Sequence, residues 1–526
     1  MKPQSLPVAL LTLSGILLAA TPLVAQEEGQ AARLRALEFP GLPEGAPGLP
    51  PEMAAALDTL LQTIDTQDLQ GFMQSGELTS ELLTQYYLAR IERLDERYRT
   101  YLEINPEALN EARDADRRRA EGEVLGPLHG IPVSLKDNIA TTEPMHTTAG
   151  AEILLDHVPE EDARLVTQLR EGGAVILGKA NLSEFAGVIS MGRILGGSTA
   201  VGGQGINPHG DFATGGSSSG SAGGVAANLT VVSVGSETSG SLVAPSAWQS
   251  VVGMKPSRDL VSGEGIIPLL LNNDSAGPIA RNVTDAAALL MVIDTREADY
   301  LTGLRIDALS EVPVGVLAAE IAPGNADLMH RIASSLVLAG AKVRPASVGD
   351  GLSRMAPFNQ LLAAGIRYDM MPALAKIVPE VDTPEALRDY NAAEAGRIPF
   401  GQDLLETQIA AGGGMPEESF RDLAAELTTL AAGILDEAFE TSGAEVLVSI
   451  DNTHSQLYAT AGYPAITVPL GARSAGGIMA MMGRDAKGMP VGVTLIGKPG
   501  QDGALLGYAY AFEQASHLRL IPQIEE

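Results

Sequence analysis

Apolar positions along this chain change their period twice. From about residue 53 to 120 they recur at three and four, the helical spacing. "TSELLTQYYLARIERLDERYRTYL" (79–102) carries that pattern most plainly, with Thr79 as the cap and Glu81 close behind. From 121 onward short solid apolar runs take over. "IPVSLKDNIA" (131–140) and "AVILGKANL" (174–182) have the β-branched content of buried strands. Between them "DARLVTQLREGG" (162–173) reads as a helix ended by glycine. Residues 300–440 return to helical spacing with few motifs, as an insertion or cap over a core would. Strand-like runs resume in "AEVLVSI" (444–450), "PAITVPL" (464–470) and "GVTLIG" (492–497), and "GALLGYAYAFEQASHL" (503–518) forms a last helix. Strands alternating with helices predict an α/β architecture, and the C-terminal strands are expected to complete the same sheet. No repeat of 20–50 residues is visible.

Length and charge narrow the function classes. A chain of 526 residues, 45% hydrophobic, can bury a large core, and α/β enzymes of this size often form one unit. A formal net charge of −30 repels phosphates and anionic lipid, so neither nucleic acid nor a membrane surface is expected as a partner. The opening "MKPQSLPVALLTLSGILLAATPLVAQEEGQ" has one lysine, an apolar stretch of roughly 15 residues and then small residues. That predicts a signal peptide over residues 1–25, cleaved after Ala25, and a periplasmic or secreted mature protein beginning near Gln26. Pro7 and Pro22 interrupt the stretch, which is short for a membrane span. Residues 26–74 are expected to be an extended arm, rich in Pro and Gly ("FPGLPEGAPGLPPE"), and a helix.

There is no cysteine, hence no disulfide, no thiol nucleophile and no thiolate metal site. The seven histidines (His129, His146, His157, His209, His330, His454 and His517) include no tight ligand pair, so neither a metal nor another cofactor is expected. "GAVILGK" (173–179) nearly matches a phosphate-binding loop. Ala180 lacks the required hydroxyl and the middle residues are apolar, so it reads as a strand and turn.

"TGGSSSGSAGG" (214–224) poses the sharper question: linker, or backbone held for chemistry? "GSSSG" (216–220) fits the nucleophile elbow G-x-S-x-G with Ser218 at its apex. An elbow needs a strand before it, and "NPHGDFAT" (207–214) reads as loop; Asp451 and His454 would have to complete such an esterase. A serine without a histidine can instead be activated by a neutral lysine. Lys136 follows an apolar run, and burial at a strand end lowers a lysine's proton affinity. The alternative is a surface lysine kept charged by Asp137 beside it.

Four stretches in order, "LGPLHGIPVSLKDNI", "GGSSSGSAGGVAA" (215–227), "VGSETSGSLVAPSAWQSVVGMKPS" (234–257) and "AGYPAITVPLG" (461–471), resemble the amidase signature family. The resemblance covers the chain from about 75 to 520 and is vague only in its middle third. It implies a domain over 75–526 with a single large mixed β-sheet covered by helices on both faces. The helical insertion at 300–440 would form part of the substrate pocket. It also implies hydrolysis of amides by a serine, a bridging serine and a lysine. By motif match these are Ser241, Ser217 (after a cis peptide from Gly216) and Lys136, with the backbone N–H groups of Thr238, Ser239, Gly240 and Ser241 as the oxyanion hole. Through "GKANLSEFAG" (178–187), Ala186 and Gly187 are expected at the acyl side of the site.

Two residues depart from the commonest family loop. Ser239 replaces a glycine, and Val243 replaces an arginine, so an acid–arginine brace from Glu237 cannot form. The Glu-Thr-x-Gly-Ser form resembles the peptide amidases within the family. Export favours an external substrate: a peptide amide, an aryl or alkyl acylamide, or another xenobiotic amide. No obligate protein partner is implied. A non-catalytic binding protein on the same fold is the reading from another class; the intact Lys136, Ser217 and Ser241 speak against it.

Overall fold

The computed structural model describes residues 33–40, 50–190, 192, 195–317, 326–412, 414–474 and 486–524. The expected signal peptide lies outside them. Among the described residues no helix is long and apolar enough to cross a membrane.

Among the described residues thirteen strands form two sheets. They are β1 (Tyr101–Ile104), β2 (Pro132–Lys136), β3 (Val175–Ala180), β4 (Ser198–Thr199), β5 (Gly203–Gln204), β6 (Val232–Glu237) and β7 (Val252–Lys255), then β8 (Ser275–Ala280), β9 (Pro313–Leu317), β10 (Lys342–Ala346), β11 (Val446–Ile450), β12 (Ala465–Ala472) and β13 (Pro490–Ile496). Eleven join one sheet in the order β1-β3-β2-β6-β8-β7-β12-β13-β11-β9-β10, and β4 pairs with β5 alone. The large sheet is mixed. β3, β2 and β6 run parallel, as do β11, β9 and β10, while the strands between them pair antiparallel. The C-terminal strands complete the same sheet, as their apolar runs predicted.

Helices cover both faces. Along β8, Ile279 packs into a cluster with Ala222, Val225 and Ala226 of the helix Ser219–Ala226. Ala276 and Ala280 point the other way, into the main core with the helix Val283–Ile293. The alternation follows from the two-residue period of a strand. The helix Ser219–Ala226 is built of Ser, Gly, Ala and one Val, so its backbone sits close to the sheet. Every residue of it is buried, and the Gly/Ser run before it is no linker.

Two stretches differ from the sequence reading. The helical pattern of 79–102 ends at Tyr98, where Arg99 takes a left-handed conformation (φ 51°), and Tyr101–Ile104 become β1. Apolar residues at 98, 101, 102 and 104 prolonged the helical spacing, and no glycine marked the break. The 300–440 stretch is largely helical but contributes β9 and β10 to the sheet. β10 is an edge strand and mostly exposed, so its sequence, "KVRPA", lacks the apolar run of a buried strand.

Candidate active site

β2 and β6 are parallel neighbours, so their C-terminal ends open on the same edge of the sheet. In parallel sheets that edge is where ligands bind. Lys136 is the last residue of β2 and is fully buried. Its Nζ donates to Ser217 Oγ at 2.7 Å, to Ser236 Oγ at 2.9 Å and to the Ser236 carbonyl at 3.0 Å. All three partners are neutral. Burial pushes the ammonium down to about 7, against weaker upward pulls from Asp274 and Glu237. Asp137 does not hold this lysine. It turns to Lys179, lying 3.2 Å from that Nζ, and accepts from Thr148.

Ser217 follows a cis peptide bond from Gly216, as the resemblance implied. Gly215 before it has φ +66°, and a Cβ there would lie 2.9 Å from Pro245 Cα, so only glycine fits this turn. Ser217 is buried, and its carbonyl accepts from Ser183 N–H at 2.9 Å.

Ser241 sits in the loop between β6 and the helix Val243–Trp248. Gly240 takes φ +87°, while Ser239 keeps a negative φ, so the replaced glycine is accommodated without a left-handed serine. A Cβ on Gly240 would come within 2.8 Å of Asn452 Nδ2. The missing arginine at Val243 has a local substitute. Glu237 Oε2 accepts from Leu242 N–H at 2.7 Å and Val243 N–H at 3.2 Å, placing a carboxylate at the helix start. Burial raises this carboxyl, and the nearby backbone N–H groups and the charge of Lys255 act against the rise. The loop carrying the four expected oxyanion donors is thus pinned at both ends. Thr238 Oγ1 donates to Asp274 at 2.5 Å, and Ser239 Oγ bonds Ser455 Oγ at 3.3 Å.

Ser217, Ser241, Ala186 and Gly187 all border one open cavity of about 260 Å³. Trp248, Leu195 and Asn452 border it too. Ala244 and Trp248 reach it from one side of their helix, three and seven residues after Ser241, as helical spacing requires. The lining comes from outside 300–440 among the described residues. That stretch buttresses the wall instead: Ser190 Oγ bonds the Phe400 carbonyl, and Met370 and Leu405 pack with Phe185 and Ile189.

The elbow constellation is not assembled by the contacts its members make. Ser218 is fully buried, its Oγ donating to the Ser236 carbonyl at 3.0 Å and accepting from Ser236 N–H at 3.2 Å. Asp451 pairs with Arg473, and His454 Nδ1 meets Ser449 Oγ at 2.6 Å. Among the described residues no group of three acids or histidines is placed to hold a metal ion. Sequence reasoning missed Ser236, Asn138 and Asp274, which surround Lys136. Ser236 and Asn138 lie inside quoted motifs, but only the pairing of β2 with β6 brings Ser236 to the lysine and to Asn138.

Comparison with known proteins places this geometry among relatives. The amidase family model matches residues 82–392. A probable amidase of Arabidopsis thaliana is 32% identical over 489 residues, covering 88% of this chain and 92% of that protein. The A subunit of a glutamyl-tRNA(Gln) amidotransferase from Moorella thermoacetica is 32% identical over 500 residues, 87% and 97% of the two chains. The native peptide amidase of Stenotrophomonas maltophilia is 36% identical, with a TM-score of 0.79 over 88% of this chain and 99% of that one.

Proposed function

The chain belongs to the amidase family and is an amide hydrolase; we propose that Ser241 is its nucleophile, Ser217 its proton bridge and Lys136 its base. Neutral Lys136 takes the hydroxyl proton of Ser217, which takes that of Ser241 as the Ser241 Oγ–carbon bond forms. The backbone donors of Thr238–Ser241 receive the oxyanion. As the carbon–nitrogen bond breaks, Ser217 protonates the leaving amine and regains its proton from Lys136. Water then attacks the acyl-serine, loses a proton along the same path, and Ser241 leaves with that proton returned. The products are a carboxylic acid and an amine. The observation that carries this reading is a fully buried lysine with only neutral hydrogen-bond partners, 2.7 Å from a serine hydroxyl that shares its cavity with Ser241.

The substrate is a peptide amide or an aryl or alkyl acylamide. Likeness to the peptide amidase and the small side of the wall at Ala186 and Gly187 support it. The mature protein acts outside the cytoplasm after loss of residues 1–25 and needs no partner chain. Fluorophosphonate treatment of the purified mature protein, with peptide mass spectrometry, tests the nucleophile. Label on Ser241 is expected; label on Ser218 would return the elbow reading. N-terminal sequencing of the exported protein tests the cleavage after Ala25.

A further inference from the structure

A second, more enclosed cavity of about 100 Å³ adjoins the site. Asn138, Ser236, Thr238 and Asp274 line it, and Ala186 borders both cavities. Two of these, Ser236 and Asn138, form the hydrogen-bonded rear of Lys136. Asp274 arrives there by strand register. β8 pairs antiparallel with β6, with Ser275 opposite Glu237, so the next step sets Asp274 beside Thr238. Its Oδ1 accepts from Thr238 Oγ1 at 2.5 Å, and its Oδ2 accepts from Leu269 N–H at 2.7 Å and Leu270 N–H at 3.0 Å. Asn273 before it donates to the Thr238 carbonyl at 3.4 Å and to Thr460 Oγ1 at 3.1 Å. Thr238, the first residue of the oxyanion loop, is therefore gripped through both its side chain and its backbone.

We propose that Asp274 is a positioning residue for amide hydrolysis, fixing the oxyanion loop through Thr238 and placing a carboxyl group in the cavity behind Lys136. The proposal rests on the Lys136–Ser217–Ser241 reading. Two acids act on Lys136 through their charge: Asp274 and Glu237. Glu237 is engaged by the Leu242 and Val243 N–H groups and faces the charge of Lys255. Asp274 has a hydroxyl and two backbone N–H groups as its hydrogen-bond donors, and burial raises its carboxyl to about 6. An opposite charge favours the protonated lysine, so removing it makes Lys136 lose its proton at lower pH.

Asp274→Asn is the decisive variant. Its amide oxygen can serve the Leu269 and Leu270 N–H groups while its NH₂ meets the Thr238 hydroxyl, so all three bonds survive and only the charge goes. The acid limb of kcat/KM should move down by about one pH unit relative to wild type. Thr238→Val, measured at pH 9 above both titrations, should lower kcat by about tenfold through a loosened loop. An unmoved limb in a folded Asp274→Asn protein overturns the charge role, and an unchanged plateau in Thr238→Val overturns the loop role. Asp274→Ser, which removes the charge and leaves room for water, replaces the Asn variant if that does not fold. Lys136→Ala in the same assay separates the two readings. If it keeps the wild-type profile, the base assignment has failed; if it is inactive and Asp274→Asn is unshifted, only the present proposal has.

Discussion

Two buried lysines stand on adjacent strands of this sheet and do different work. Lys136 ends β2 and Lys179 lies in β3; Leu135 is opposite Lys179, and Lys136 is opposite Ala180. One step of register sends the two side chains to opposite faces. The same alternation parts Lys136 from its sequence neighbour Asp137, which joins Lys179 across the sheet. Both lysines are fully buried, and burial lowers both. Lys179 has a carboxylate pulling it back up. Its Nζ also donates to the Ile139 and His146 carbonyls at 2.8 and 2.9 Å and to Thr147 Oγ1 at 2.7 Å, clamping the loop after β2. Lys136 has neutral oxygens alone. Burial is common to both, so the partner decides which lysine can act as a base and which serves as a staple.

The largest test separates the two directly. Lys136→Ala should cut amide turnover by at least about a thousandfold, because it removes the base, and leave the protein folded. Lys179→Met should do the reverse. It strands Asp137 in the interior, a loss of about 3–5 kcal/mol that lowers the thermal midpoint, while the molecules that fold keep their kcat. Adding Asp137→Asn to Lys179→Met should restore part of that stability, since no buried charge remains. Turnover and thermal melting of the three variants decide it. A folded Lys179→Met protein as inactive as Lys136→Ala would end the distinction.

Much of this contrast could be read before the structure, and the missing part has a physical reason. The apolar runs around 131–140 and 174–182 announced β2 and β3, and the end of the first run placed Lys136 at a strand terminus. Local sequence could not say whether Asp137 would pair with it, because that depends on the pleat. Ser217 and Ser241 were visible only as members of glycine- and serine-rich stretches; their joint placement came from the family resemblance. Ser236, Asn138 and Asp274 gave no local signal. Their contacts with the site are made by strand pairing between segments about 35–100 residues apart, as the separations of Asn138 and Ser236 and of Thr238 and Asp274 show. β1 was lost in the preceding helix for the converse reason: local spacing stayed helical past the true end at Tyr98.

The pH profile is the next effect in size. Lys136 acts as a base only when neutral, and its proton leaves near 7 instead of at the ordinary 10.5. kcat/KM should therefore rise with pH, reach half its plateau near 7, and fall about tenfold per unit well below that point. Lys136→Arg should be inactive across the range, because a guanidinium keeps its proton. A limb near 10 in the wild type would mean that burial does not tune this lysine.

The smallest effect comes from giving Lys136 something of what Lys179 has. Asn138 Nδ2 donates to Ser236 Oγ at 3.0 Å, and Ser236 Oγ in turn receives the lysine at 2.9 Å. Asn138→Asp puts a carboxylate at that second position with no change of shape. Ser236 can then donate its hydroxyl proton to the new acid and still accept from Lys136. The added negative charge favours the ammonium, so the acid limb should move up by roughly one pH unit. At pH 7 activity then drops several-fold, and at pH 9 it returns toward wild type. Recovery at high pH is the informative half, since a variant damaged in its fold would be slow throughout. An unmoved limb with full activity would show that a charge one hydrogen bond away does not reach Lys136. The contrast between the two lysines would then reside in the direct contacts alone.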